Sequence, residues 1–302
     1  MALENMFKPV PGSRPKVACE IRPEGVIAAR SGKRHGEIAA AFAPVREGTV
    51  VPGLKVPNLA DARAVRTALE SALESVGASR EVTLVVPDAA ARVLLLDFDE
   101  LPSKRQEALS VVRFRLRKMV PFDVENAAVS YQVMAKKDDQ LSVLVTVMPR
   151  DVLEEYESVV RDAGYEPAAV LPSTLAAAAA IEGESATLMV NHSGASVTTA
   201  VTQGNEMLLH RSMDLPAEPQ AREEEMAQAV ITALAWYEDT LRTLPSTMSY
   251  AGPGGANAAL QSRWSALVQP APRLVDLTTA EASAMTSVPA GVLAGVTGAL
   301  AN

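Results

Sequence analysis

Positive charge, cysteine and long apolar runs are what this sequence is short of. Its 302 residues carry 28 Lys and Arg against 36 Asp and Glu, a formal net charge of -8. Nucleic-acid binding needs a basic face that releases counterions from phosphates, so a general nucleic-acid binder is excluded, though a local basic patch is not. A single cysteine, Cys19, rules out a disulfide within the chain and makes the cytoplasm the natural compartment. His35, His192 and His210 lack ligand spacing, and with one thiol no zinc or other metal site is expected. No stretch reaches the roughly 18 uncharged apolar residues of a membrane span, and Met1 to Pro11 has no apolar core of signal-peptide length. The most apolar segment, Val288 to Leu300, is short and rich in Gly and Ala, and reads as a buried helix. Any membrane role is expected to be peripheral.

What is present is an ordinary globular composition, 48% hydrophobic and 21% charged, in a chain long enough for two lobes. After a loose tail over residues 1–15, three apolar runs separated by turn signals (Val17 to Ile21, Gly25 to Arg30, Glu37 to Phe42) read as strands. Val65, Leu69, Leu73 and Val76 then recur at helical spacing, with Asn58 as cap and Gly77 as stop. Val82 to Val86 is an uncharged β-branched run suited to a buried parallel strand. The same order returns later. Ala186 to Val190, Ser196 to Thr202 and Met207 to Met213 read as strands. A long helix follows, with Met226, Val230, Leu234, Tyr237 and Leu241 on one face and Glu223 to Glu225 at its start, and then the strand Thr247 to Ala251. Strand, strand, strand, helix, strand thus occurs twice. Between the copies, about Ala91 to Lys136, lies an insert. It holds a strand (Val93 to Phe98), a helix opening at Ser103 with Gln106 in a capping-box pattern, and a strand from Ala128 to Met134. The organisation expected is a first lobe over 16–90 and 137–180, an inserted α/β subdomain over 91–136, and a second lobe over 181–302.

Several segments resemble the PilM-like proteins of the type IV pilus machinery, within the actin and FtsA superfamily. Leu101-Pro102, Val120-Pro121-Phe122-Asp123 and Val129 to Val133 resemble the segments flanking the family's insert helix. Val143 to Pro149, with Leu153, Tyr156, Ala163-Gly164-Tyr165 and Pro167, resembles the next strand and helix. Met189-Val190-Asn191 through Thr199, and Leu208 to Ser212, resemble the start of the second lobe. The resemblance implies a two-lobed actin-like (ribonuclease H-like) α/β fold with an FtsA-type insert in the first lobe.

Actin-like proteins hold ATP between the lobes. Each lobe offers a hairpin turn with backbone N–H groups, a glycine and an acidic residue, and a late glycine-rich turn approaches the adenosine. Carried onto this sequence, the candidate cleft residues are Glu20, Asn191, Ser193, Gly194, Gly252, Gly254 and Gly255. The site is degenerate. The first turn, Glu20-Ile21-Arg22-Pro23, lacks Asp-x-Gly, and Pro23 removes an N–H, although Arg22 could contact a phosphate. Asn191 stands where the family has aspartate, and Pro253 interrupts the late turn. A pseudo-ATPase with no catalytic residue is therefore expected, with no cofactor or at most residual ATP and magnesium binding.

The insert helix gathers Lys104, Arg105, Arg113, Arg115, Arg117 and Lys118 against one acid, Glu107. Such a run is either a solvated face or a docking surface for acidic residues or anionic lipid headgroups. PilM-like proteins use the insert to bind the cytoplasmic N-terminal tail of the inner-membrane protein PilN. The resemblance thus implies a tail site around Arg113, Arg117, Lys118, Pro121 and Phe122. It also implies contacts with other pilus platform and motor proteins, a place at the cytoplasmic face of the inner membrane reached through the partner, and compatibility with a homodimer. The competing functions are a nucleotide-switched actin-like ATPase or filament former, a cytoplasmic component of a type II secretion platform, and a sugar kinase of the same superfamily. The last is disfavoured by the lack of a recognisable aspartate base.

Overall fold

The computed structural model describes residues 15–32, 37–137, 139–266, 271–277, 281–284, 288–289 and 291–301. The expected N-terminal tail, apart from its last residue, and His35 lie outside them.

The chain begins with an antiparallel meander, β1 (Val17–Arg22), β2 (Gly25–Ser31) and β3 (Glu37–Pro44), followed by α1 (Ala62–Ser75) and β4 (Glu81–Val86). β5 (Arg92–Phe98), α2 (Arg105–Leu116), β6 (Ala127–Lys137) and β7 (Gln140–Pro149) come next, then α3 (Arg150–Asp162), β8 (Glu166–Pro172) and α4 (Ser173–Ala178). A second meander, β9 (Thr187–Ser193), β10 (Ser196–Gln203) and β11 (Glu206–Asp214), leads into α5 (Pro219–Leu241), β12 (Thr247–Ala251), α6 (Ala258–Ser265) and β13 (Arg273–Asp276). β14 (Glu281–Ala284) and α7 (Ala294–Leu300) close the described chain.

The duplication seen in the sequence is a duplication of topology. One sheet runs β14-β3-β2-β1-β4-β8 and the other β11-β10-β9-β12-β13. In each, the first strand pairs antiparallel with the second and parallel with the strand after the helix. β1 and β4 are buried along almost their whole length, as strands covered on both faces must be. α1 and α3 cover one face of the first sheet through Val65, Leu69, Leu73, Val152 and Tyr156. α5 covers the second sheet through Met226, Val230, Leu234 and Tyr237, the stripe expected from spacing. Gly77 (φ 64°) and Gly164 (φ 89°) follow the ends of α1 and α3 in the left-handed conformation that terminates helices.

Three expectations about boundaries are corrected. The insert does not end at Lys136. β7 is its central strand, pairing antiparallel with β5 (Leu95 opposite Leu144) and with β6 (Tyr131 opposite Val145). Val143, Val145 and Val147 alternate inward against Val112 and Leu116 of α2, so the strand's apolar face belongs to the insert's own core. The second lobe does not extend to Asn302. β14 pairs parallel with β3, and α7 packs Val296, Ala299 and Leu300 against Ala18, Ile27 and Ala29 of the first lobe. Small residues permit this approach, since a methyl on Gly298 would lie 1.8 Å from the carbonyl oxygen of Ala176. Helix starts also differ. Asp61, not Asn58, caps α1 by accepting from the Ala64 N–H at 3.0 Å. Asn58 is instead buried in the preceding loop, whose Asn58 and Leu59 N–H groups bind the Glu155 carboxylate at 2.8 and 2.9 Å. α2 begins after Lys104 with no side-chain cap, and α5 begins at Pro219 behind Glu218, which accepts from the N–H groups of Gln220 and Ala221.

The insert touches both lobes. α2 covers one face of its sheet, while Leu95, Met134 and Leu144 pack with Met189, Ala200 and Met207 of the second sheet. Among the described residues no helix is long and apolar enough to cross a membrane.

Candidate functional site

The two hairpin turns expected to hold phosphates face each other across the lobes and are bonded together. The guanidinium of Arg22 donates to Glu20 Oε1 at 2.8 Å, to Glu24 Oε2 at 3.4 Å and to the His192 carbonyl at 3.1 Å. The Gly194 N–H, the donor a phosphate would need, gives its hydrogen bond to Glu24 Oε1 at 3.0 Å. A methyl on Gly194 (φ 56°) would lie 2.5 Å from Pro23 Cγ, so the turns are in van der Waals contact. Arg22 thus cross-links the turns. Ser193 ends β9 buried, its hydroxyl without a partner.

Below them lies a buried polar network. Ser173 at the start of α4 donates to Glu20 Oε1 at 2.8 Å. The Asn191 amide donates to Ser173 Oγ at 3.0 Å and Thr174 Oγ1 at 2.9 Å, and reaches Asp88 Oδ2 at 3.4 Å. Asp88, in the turn after β4, accepts from the Thr174 N–H at 2.9 Å, from the Thr174 hydroxyl, and from the Thr198 hydroxyl at 2.8 Å. These groups come from both lobes and leave few polar atoms unpaired.

Glu20 Oε2 is one that is unpaired, and it faces α7, where a methyl on Gly295 would lie 2.3 Å away. Burial pushes the Glu20 carboxyl above its ordinary value of 4.5, against the opposing pull of Arg22 and Ser173. A carboxyl raised on folding contributes stability that is full below the unfolded value and lost as pH rises through the folded one, because the native state holds the extra proton. Stability should therefore fall as pH climbs from about 4.5. Glu20→Gln should flatten that fall, which urea unfolding across the window would measure. An unchanged slope would assign the pH dependence to another group. Burial also holds His192 below its ordinary range, so its ring is neutral at pH 7, with Nδ1 at 3.2 Å from the Tyr250 hydroxyl and Nε2 at 3.2 Å from the Gly194 carbonyl.

The late turn is covered. The Gly252 N–H donates to the Gly291 carbonyl at 2.8 Å, and Gly291 approaches so closely that a methyl on it would meet the Gly252 oxygen and the Gly255 backbone. Gly254 (φ 83°) and Gly255 (φ 62°) are left-handed, and the Asp276 carboxylate accepts from the Ala256 N–H at 2.7 Å. In this arrangement the residues do not fit a nucleotide. The Gly194 N–H is engaged by Glu24, the turns touch, and Gly291 lies over the late turn.

The insert residues divide. Arg113 donates to the Val124 and Ala127 carbonyls, tying α2 to the turn before β6. Arg117 pairs with Glu125 at 2.7 Å. Lys118 and Pro121 are exposed. Of the residues expected to bind a partner tail, only Phe122 lines the groove of about 470 Å³ between insert and first lobe. Its other walls include Leu54 and Lys55 from the loop before α1, Asp123, and Arg150 and Glu154 of α3. Glu24, Asp88, Ser173, Thr174 and Thr198 were not singled out by sequence reasoning. For Asp88 a signal existed, an acid placed directly after the uncharged run Val82 to Val86 and Pro87.

No protein-family model and no curated protein matches the chain. Solved structures do. A chain of the PilM–PilN type IV pilus biogenesis complex is 16% identical, with 95% of this chain and 97% of that chain covered and a TM-score of 0.75. The cytoplasmic domain of EpsL, an inner-membrane component of the type II secretion system of Vibrio cholerae, is 16% identical, with coverage of 94% and 92% and a TM-score of 0.50. The ethanolamine utilization protein EutJ from Carboxydothermus hydrogenoformans is 12% identical, with coverage of 99% and 94% and a TM-score of 0.50. The paired meander sheets, the insert in the first lobe and these likenesses together give the chain a two-lobed actin-like fold of PilM-like form.

Proposed function

We propose that this chain is a non-catalytic scaffold at the cytoplasmic face of the inner membrane, one that holds the cytoplasmic tail of a PilN-like membrane protein within a type IV pilus machine. The observation carrying the reading is the groove between insert and first lobe, in a chain whose fold matches a component of the PilM–PilN complex over 95% of its length. Phe122 and Leu54 offer an apolar seat, and the walls carry both carboxylates (Asp123, Asp151, Glu154) and cations (Lys55, Arg150), so the groove suits an extended segment with an apolar anchor. The pseudo-ATPase part of the reading is supported by the bonded turns, with Glu24 on the Gly194 N–H and Gly291 over the late turn. Likeness to the EpsL cytoplasmic domain supports a second reading, a component of a type II secretion platform, which differs in partner rather than in mode.

Titration with the synthetic cytoplasmic tail of the pilus membrane protein tests the first reading. Binding should weaken at least about tenfold in Phe122→Ala, which removes the apolar anchor and leaves the charged walls unchanged. Absence of binding by the unmodified chain would sink it, and preferential binding of a secretion-platform tail would favour the second reading. In the same instrument, ATP with magnesium should give no heat and no rise in melting temperature. Micromolar binding would shift the midpoint by mass action and reinstate a nucleotide switch.

A further inference from the structure

The outer face of α2 takes no part in the groove or the cleft. The helix buries Ala108, Val112 and Leu116. Phe114, at 71% exposure, lies on the opposite side, Val111 at 38% lies on its flank, and Met119 at 46% follows the helix end. These are three of the five exposed large hydrophobic residues among those described. They are set in basic surroundings. Lys104 is paired with Glu107 and Arg117 with Glu125, and Arg113 is spent on carbonyls, but Arg105, Arg115 and Lys118 are exposed and form no ion pair among the described residues. The Arg117 guanidinium lies 5.7 Å from the centre of the Phe114 ring, so the aromatic side chain sits within the positive field.

We propose that this face of α2 binds directly to an anionic lipid bilayer, with Phe114 entering the headgroup boundary while Lys118, about one turn on, and the adjacent Arg115 meet lipid phosphates. Charge complementarity argues for that occupant. The chain as a whole carries a net charge of -8 and is repelled by an anionic surface, so a local cluster of unpaired cations fixes which side turns toward it. The shape argues the same way. A helix side opposite its buried stripe is convex, which suits a bilayer, whereas a peptide is held by a groove or a sheet edge. The combination of an exposed aromatic and flanking cations is that of an interfacial contact rather than of a solvated face. The proposal is independent of the tail site, because lipid contact needs no partner.

The test is flotation of the purified full chain with vesicles of phosphatidylcholine alone, and with vesicles of phosphatidylcholine mixed with an equal part of phosphatidylglycerol. The chain should float with the mixed vesicles only, and less as salt is raised. Arg115→Glu with Lys118→Glu should weaken binding by more than about tenfold, as expected when each cation near an anionic surface raises partitioning roughly fivefold. Phe114→Ser should weaken it several-fold while leaving the salt dependence intact. These side chains are exposed, so circular dichroism should show the variants folded. Failure to float with mixed vesicles, or equal flotation of the charge-reversed variant, would overturn the proposal. So would capture of a polyglutamate peptide without any capture of vesicles, which would reassign the face to an acidic protein segment.

Discussion

Asp88→Ala should lower the unfolding free energy by about 3 kcal/mol or more, since hydrogen bonds to charged groups are worth roughly 1.5–3 kcal/mol each and the orphaned donors stay buried. The carboxylate accepts the Thr174 N–H, the Thr174 hydroxyl and the Thr198 hydroxyl, and Asn191 approaches it from the second lobe. A methyl group replaces none of these, and the site is too enclosed for solvent to restore them without rearrangement. Thr198→Val, which removes one donor and keeps the shape, should cost no more than about 1.5 kcal/mol. Urea melts of both variants give the comparison. If Asp88→Ala costs less than Thr198→Val, the network is not what joins the lobes. The experiment also probes function, because these contacts tie β4 of the first lobe to β9 and β10 of the second.

Gly298→Ala sets two effects of opposite sign against each other. On helix propensity alone, glycine to alanine in α7 should stabilise by about 1 kcal/mol. Packing says the reverse, because the new methyl would fall 1.8 Å from the Ala176 carbonyl oxygen, and backbone cannot yield as a flexible side chain does. Overpacking a close contact costs typically about 1–3 kcal/mol, and here the whole helix must shift. We expect net destabilisation of about 2 kcal/mol or more, with faster proteolysis of the C-terminal segment. Gly53→Ala, where the added methyl meets nothing within 4 Å, is the control. A stabilised Gly298→Ala would mean that α7 does not dock on α4 as described.

How much was legible before the structure depended on the kind of pattern. Both meanders, the helices after them and the buried strands at Val82 and Thr247 were readable, because alternation and helical spacing are local and each segment is long enough to repeat its period. β13, with four residues, and β14 carry too few residues to show a period, and β14 is a strand only because β3 offers it an edge. The reassignment of β7 to the insert has the same cause, since its apolar alternation would suit either sheet and only pairing with β5 and β6 decides it. In the cleft, Glu20, Asn191 and Gly194 were found through resemblance and do lie together. Their functional meaning was not readable. Whether Arg22 addresses a phosphate or Glu24 depends on how near the second turn lies, a distance no local pattern encodes. Among the insert cations, spacing predicted the charge but not the carbonyls that consume Arg113.

The return of α7 to the first lobe has a consequence for biosynthesis. Val292, Val296, Ala299 and Leu300 complete a core whose other members include Ala18, Ile27 and Ala29, nearly the full length of the described chain away. Domains usually fold from the N-terminal side as they leave the ribosome. Here the first lobe can form its α1 and α3 face early, but its opposite face stays open, with apolar surface bare, until residue 300 has emerged. Contacts at such separation close slowly. The lobe made first is therefore the lobe finished last.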